Sequence, residues 1–133
     1  MTPFRLKIVA PDKMFFDGET EQIIARTTEG DVGILAHHAK YVANLIAGPL
    51  KIKQEDGTYR IAAISSGAIS VGDNLVTILV NTIEWANEID IERAKRAEEA
   101  ARERIRTSDS EKEHDVANLK LKRALNRINI ASK

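Results

Sequence analysis

The hydrophobic period of this chain changes once, near residue 86, and no other feature constrains its fold as much. Upstream of that point apolar residues alternate with polar ones in short bursts. "FRLKIVA" sets Phe4, Leu6 and Ile8 on one face and Arg5 and Lys7 on the other, the pattern of a half-buried strand. "QIIARTT", "VANLIA", "LKIK", "TYRIAAI", "AISV" and "LVTILV" follow in the same style. Turn signals separate them: "PD" at 11–12, "AGP" at 47–49, "EDGT" at 55–58 and "GDN" at 72–74. Asp56-Gly57 between two such bursts predicts a hairpin. Many short strands at even spacing predict an antiparallel sandwich or barrel.

Downstream the period becomes helical. Over residues 91–106 the apolar positions 91, 94, 97, 101 and 105 form a narrow stripe made mostly of alanine. Opposite charges lie one turn apart in Glu92–Arg96 and Glu98–Arg102, each pair contributing about 0.2–0.5 kcal/mol. "TSDS" at 107–110 breaks the helix, and Ser110 with Glu113 predicts a capping box for a second one. That helix carries Ala117, Leu121, Ala124, Leu125 and Ile128 on one side. Two helices joined by a short polar link predict an antiparallel hairpin. The expected division is therefore residues 1–86 and 87–133.

Charge excludes one class of partner. Twenty basic and twenty acidic side chains cancel over 133 residues, which argues against a nucleic acid gripped by the whole molecule. The balance is local, however: from Val116 onward stand Lys120, Lys122, Arg123, Arg127 and Lys133 and no acid. Cations there suit a helix C-terminus. The chain has no cysteine, hence no disulfide framework and no thiol nucleophile. "MTPFRLKIVAPDK" breaks its apolar run with Arg5 and Lys7, so neither a signal-peptide core nor a membrane span is expected there.

Motifs for chemistry are weak. In "GAISVGDN" Gly67 and Gly72 have the spacing of a phosphate-cradling loop, but Asp73 and Asn74 stand where such a loop needs Lys and Ser or Thr. A strand between turns is the expectation. His37 and His38 are adjacent, and neighbours on an extended segment point to opposite sides, so no metal site is expected. Ser65 and Ser66 lack the pattern of a nucleophile elbow.

"NEIDIERA", residues 87–94, is different in kind. Asp90 is placed to cap the first helix through the amide of residue 92 or 93, and Arg93 is close enough in sequence to pair with it. Arg123 and Arg127 lie one turn apart on the second helix. Arg93, Arg123 and Arg127 on two adjacent helices, without nearby acid, form a candidate polyphosphate cradle. A plain cap and a solvated face are the alternative.

The residues resemble a known family. "TTEGDVGILAHH", "SSGAISVGDNLVTILV" and "IDIERA" followed by a charged, alanine-rich helix resemble segments of the epsilon subunit of bacterial and chloroplast F-type ATP synthases. One departure is visible: the family's usual Pro-Gly before the histidine is Ala36-His37 here. The resemblance implies an α+β fold, an N-terminal antiparallel β-sandwich of about ten strands followed by a C-terminal two-helix hairpin. It implies a non-catalytic central-stalk subunit that clamps the gamma subunit, rests on the c-subunit ring and turns with both. The hairpin of that family either folds down or extends into the alpha/beta catalytic hexamer, where it blocks ATP hydrolysis.

No cofactor is implied as a requirement, and ATP is implied as a regulatory ligand. The family motif for it is met by Ile89, Asp90, Arg93 and Ala94, with Glu84 just before and Arg123 and Arg127 on the second helix. A further arginine of some ATP-binding members falls on Ala100, with Arg102 or Arg104 as its replacement. Lys120, Lys122, Arg123 and Arg127 are the expected inhibitory contacts to acidic residues of the hexamer. Localisation is expected at the cytoplasmic face of the bacterial membrane, peripherally and without direct insertion. A free-standing nucleotide-sensing regulatory protein is the competing reading.

Overall fold

The computed structural model describes residues 2–131. It divides into two compact units, Met1–Trp85 and Ala86–Lys133.

The first unit is built from ten strands: β1 Phe4–Ala10, β2 Lys13–Thr20, β3 Gln22–Thr27, β4 Gly30–Leu35, β5 Tyr41–Leu45, β6 Gly48–Lys53, β7 Tyr59–Ile64, β8 Gly67–Val71, β9 Leu75–Val80 and β10 Ile83–Trp85. The strand order is β10-β7-β6-β3-β5-β8-β9-β1-β2, with β4 attached to β3. The turn from one half of the sandwich to the other falls on β3. Ile23 and Ile24 pair with β6, while Thr27 pairs with Leu45 of β5. Among the described strands every ladder is antiparallel except that of β1 with β9, where Arg5 lies opposite Leu75. Alternation places Phe4, Leu6, Ile8, Ile23, Ile34, Leu50, Ile64, Ile69 and Ile78 in a fully buried core. Side chains of this size contribute about 1.5–3 kcal/mol each when fully buried.

The turn expected at 47–49 starts earlier, because Gly48 and Pro49 already belong to β6. β6 pairs with β7 along its whole length but with β3 only at Lys51 and Ile52. Pro49 therefore sits where the strand has one neighbour, which a residue without an N–H can occupy. The "EDGT" hairpin forms with Gly57 at φ 88°, and the Asp56 carboxylate accepts both the amide (2.9 Å) and the hydroxyl (2.6 Å) of Thr58. Those bonds, the hydroxyl's first, hold the Asp56 pKa below the usual carboxylate value. At the departure from the family pattern, His37 takes φ 65°, a left-handed conformation that glycine would adopt without a Cβ penalty. Gly67 is no phosphate loop. It lies opposite Val80, and a Cβ on it would stand 2.1 Å from the Leu79 carbonyl oxygen. Trp85 closes the unit under the Arg60 guanidinium (3.6 Å to the ring centroid) and beside Phe15 (4.6 Å).

The second unit opens with a 3-10 turn, Ala86–Glu88, followed by α1 Ile91–Thr107 and α2 Glu111–Ala131. Its helices meet along a seam of small side chains. Ala94 and Ala101 are the buried residues of α1, and Ala117, Ala124 and Ile130 those of α2. Leu125, expected on this seam, is exposed, and Ile130 is the large side chain that α2 buries. Of the two expected pairs, Glu98–Arg102 forms at 3.3 Å, whereas Glu92 and Arg96 are not joined. Their rotamers face water, where such a pair gains little.

The helix link departs from a simple capping box. Ser110 Oγ accepts from the Glu113 amide at 3.4 Å, but the Glu113 carboxylate turns to the Ser108 hydroxyl at 2.7 Å. Ser108 Oγ in turn accepts from the Ser110 amide at 3.2 Å. The last turn of α2 holds no basic residue, so the expected cations do not sit at that helix terminus. Lys133 lies outside the described residues. No helix among the described residues is long and apolar enough to cross a membrane.

Candidate functional site

The start of α1 is fixed by Asp90. Its backbone is extended (φ −81°, ψ 99°), and its Oδ1 accepts from the Arg93 amide at 3.0 Å. The Asp90 carbonyl receives the Ala94 amide, also at 3.0 Å. Ala94 is fully buried and Ile89 nearly so, while Arg93 is exposed. The expected side-chain pair between Asp90 and Arg93 is absent, because the carboxylate is spent on the amide that α1 leaves without an internal partner. Glu84 lies in β10 opposite Ala63, within the first unit.

Between the helices runs an open groove of about 520 Å³. Ala97, Ala100 and Ala101 of α1 and Val116, Ala117 and Ala124 of α2 line it with methyl groups. Arg104, Lys120, Arg123 and Arg127 line it with cations, and no carboxylate contributes. Positions 120, 123, 124 and 127 share one face of α2, since residues three and four apart are neighbours on a helix. Lys122 is off that face and does not line the groove. Arg123 and Arg127 are thus brought together as expected. Arg93 is not in the lining: of the three arginines expected to converge, Arg123 and Arg127 line the groove, together with Lys120 and Arg104.

Of the two residues considered as replacements for position 100, Arg104 is the one that lines the groove. It follows Ala97, Ala100 and Ala101 in helical phase and lines the same groove as they do. Arg102 lines a different depression, with Glu99, Ile105, Arg106 and Leu121, and is paired with Glu98. The other ion pairs, Arg5–Asp17, Arg26–Asp31 and Arg106–Glu103, likewise engage arginines outside the groove. Among the described residues, Arg104, Lys120 and Arg123 make no such pair. Cations left together without acids are costly unless an anion joins them.

This two-part architecture has relatives. Residues 3–86 match the family described as ATP synthase, Delta/Epsilon chain, beta-sandwich domain, and residues 87–132 match the corresponding long alpha-helix domain. An ATP synthase epsilon chain of Ruminococcus albus is 46% identical, over 100% of this chain and 99% of the relative. One of Caldanaerobacter subterraneus subsp. tengcongensis is 44% identical, over 98% and 94% respectively. Among solved structures, a chain of the Euglena gracilis mitochondrial ATP synthase (OSCP/F1/c-ring) superposes with a TM-score of 0.83 at 28% identity, covering 96% of this chain and 80% of that one. A chain of the Tetrahymena thermophila central stalk and c-ring shares the fold, with a TM-score of 0.65 at 21% identity, over 96% and 95%. The fold is that of a stalk subunit of a rotary ATP synthase. The chain belongs to the ATP synthase epsilon-chain family.

Proposed function

We propose that this chain is a non-catalytic rotor subunit, joining the gamma subunit to the c-ring of an F-type ATP synthase and restraining ATP hydrolysis through its hairpin. In this reading it acts peripherally at the cytoplasmic face of a bacterial membrane. With α1 and α2 paired, the hairpin takes ATP. With the helices parted, α2 reaches the alpha/beta hexamer and its cations meet acidic residues there. Lys120, Lys122, Arg123 and Arg127 are the contacts proposed for that state, and Glu84, Ile89, Asp90, Arg93, Ala94, Arg123 and Arg127 the residues proposed around the nucleotide. Asp90, Ile89 and Ala94 serve by fixing the start of α1, as their capping and burial support.

The observation that carries this reading is the acid-free cationic groove over an alanine seam. A buried methyl contributes only about 0.8 kcal/mol, so such a seam holds two helices together weakly. A ligand at a hundred times its dissociation constant supplies about 2.7 kcal/mol, enough to bias a balance of that size. The test is calorimetric titration of ATP into the intact chain, together with hydrolysis assays of the assembled synthase. Replacing Lys120, Lys122, Arg123 and Arg127 by alanine should relieve inhibition. Unchanged inhibition, or no ATP binding at millimolar concentration, would remove the corresponding half of the reading.

A further inference from the structure

We infer that the Asp56–Gly57 peptide unit is a site of spontaneous isoaspartate formation, and that the Thr58 hydroxyl holds this site closed in the folded protein.

The chain contains two Asp-Gly pairs, Asp17-Gly18 and Asp56-Gly57. Such pairs are open to an intramolecular reaction of the aspartate carboxyl, because glycine has no side chain to shield its amide nitrogen. That nitrogen bonds to the carboxyl carbon Cγ and a water molecule leaves, which closes a five-membered succinimide. Water then opens the ring at either carbonyl. One opening restores aspartate, and the other leaves the main chain running through Cβ and Cγ. No oxidant, reductant or co-reactant other than water is needed.

The two pairs are held in different ways. Asp17 and Gly18 lie within β2, in register with Lys7 and Leu6 of β1, and the Arg5 guanidinium donates to Asp17 Oδ1 at 2.8 and 3.1 Å. Ring closure there requires a strand to open. Asp56 and Gly57 lie in the exposed turn between Lys53 and Tyr59, the last paired residues of β6 and β7 on that side. Restraint there is local. Thr58 donates its hydroxyl (2.6 Å) and its amide (2.9 Å) to Asp56 Oδ1, and the Gly57 amide donates to the Gln54 carbonyl at 3.0 Å.

Each of these bonds opposes the reaction. Loss of water needs a carboxyl that has taken up a proton, whereas two donors stabilise the ionised form. The Asp56 pKa is lowered accordingly, with the Thr58 hydroxyl as the largest cause. Attack also needs the Gly57 nitrogen to give up its bond to Gln54. The hydroxyl is the shorter of the two Thr58 bonds and the one that a side-chain substitution removes. Isomerisation would add a main-chain carbon to the turn and disturb β7, which carries Arg60 onto Trp85.

Incubation of the intact, folded chain at neutral pH tests this, with isoaspartate read by enzymatic methylation and by separation of the isomeric peptides after digestion. Thr58→Val and Thr58→Ala should each accumulate isoaspartate at residue 56 several-fold faster than wild type. Thr58→Ser keeps the hydroxyl and should react at the wild-type rate. In urea the protection is lost, so wild type and variants should isomerise at residue 56 at similar rates, and residue 17 should react as well. If neither hydroxyl-free variant is faster than wild type when folded, whether all react or none does, the role of Thr58 is overturned. A gap of the same size in urea also overturns it, by tracing the difference to local sequence and not to the folded turn. Thr58 is exposed, so these substitutions leave the core intact, and thermal melting of each variant confirms it.

Discussion

Asp90 Oδ1 accepts the backbone amide of Arg93 at 3.0 Å, so the two residues are joined through the main chain and not through their charges. The arrangement separates what a cap does from what a ligand contact does. Asparagine caps about as well as aspartate, whereas alanine at such a position costs about 1 kcal/mol. Asp90→Asn should therefore leave the stability of the helical unit unchanged, and Asp90→Ala should lower it by that amount. Amide hydrogen exchange of Arg93 in the two variants reads the difference.

Gly67 carries a prediction about the sandwich. The Leu79 carbonyl oxygen occupies the place where a side chain would start, at 2.1 Å, and it is backbone. Gly67→Ala must push β8 away from β9, at a cost of about 3 kcal/mol, the upper end for overpacking. Urea denaturation should show a lower midpoint. A midpoint within error of wild type would mean that the two strands can part freely at this point.

His37 holds a left-handed backbone at φ 65° with an exposed side chain. That conformation costs an L-residue about 1–2 kcal/mol. Glycine removes this strain but loses about 0.5–1 kcal/mol through the entropy of its unfolded chain. His37→Gly should therefore stabilise the sandwich modestly, by about 0.5 kcal/mol, seen as a melting-temperature rise of a few degrees.

Asp56 makes stability depend on acid. Its folded pKa lies below its ordinary value because Thr58 donates a hydroxyl and an amide to the carboxylate. A group depressed in this way favours the folded state above its unfolded pKa. That contribution fades as pH falls through the ordinary carboxylate value of 3.8 toward the lower folded one. Asp56→Asn should flatten the pH dependence of the melting temperature in that acidic window and leave it unaltered near neutrality. An identical acid profile for the two proteins would show that the turn carries no such linkage.

Which strands were legible in the sequence follows from where they sit. β1, β3, β5 to β9 announce themselves by apolar bursts, because each has neighbours on both sides or a face turned to the core. β2, β4 and β10 do not, and all three are edges: β2 pairs only with β1, β4 only with β3 and β10 only with β7. An edge strand is free to be polar. β2 buries only Thr20, β4 only Ile34, and β10 is three residues long. At the groove, Arg123 and Arg127 were legible because both stand on one helix at fixed spacing. The absence of Arg93 was not, since Arg93 shares the helical phase of Ala97, Ala100 and Arg104 and phase alone would place it with them. Arg104 had a signal in its phase with Ala97, Ala100 and Ala101, but Arg102 had the same composition around it. The place of Arg104 in the groove lining and the pairing of Arg102 with Glu98 separate the two.

The parallel ladder between β1 and β9 sets a schedule for the ribosome. Roughly seventy residues separate Arg5 from Leu75, its partner across that ladder. At about 5–20 residues per second, β1 emerges several seconds before the strand that will cover its second edge. During that interval the β1–β2 hairpin presents an open row of amides and carbonyls, with Phe4, Leu6 and Ile8 not yet enclosed. Almost the whole sandwich must therefore leave the exit tunnel before its first strand is secure. The helical residues, translated after β10, follow a sandwich whose strands have only just become complete.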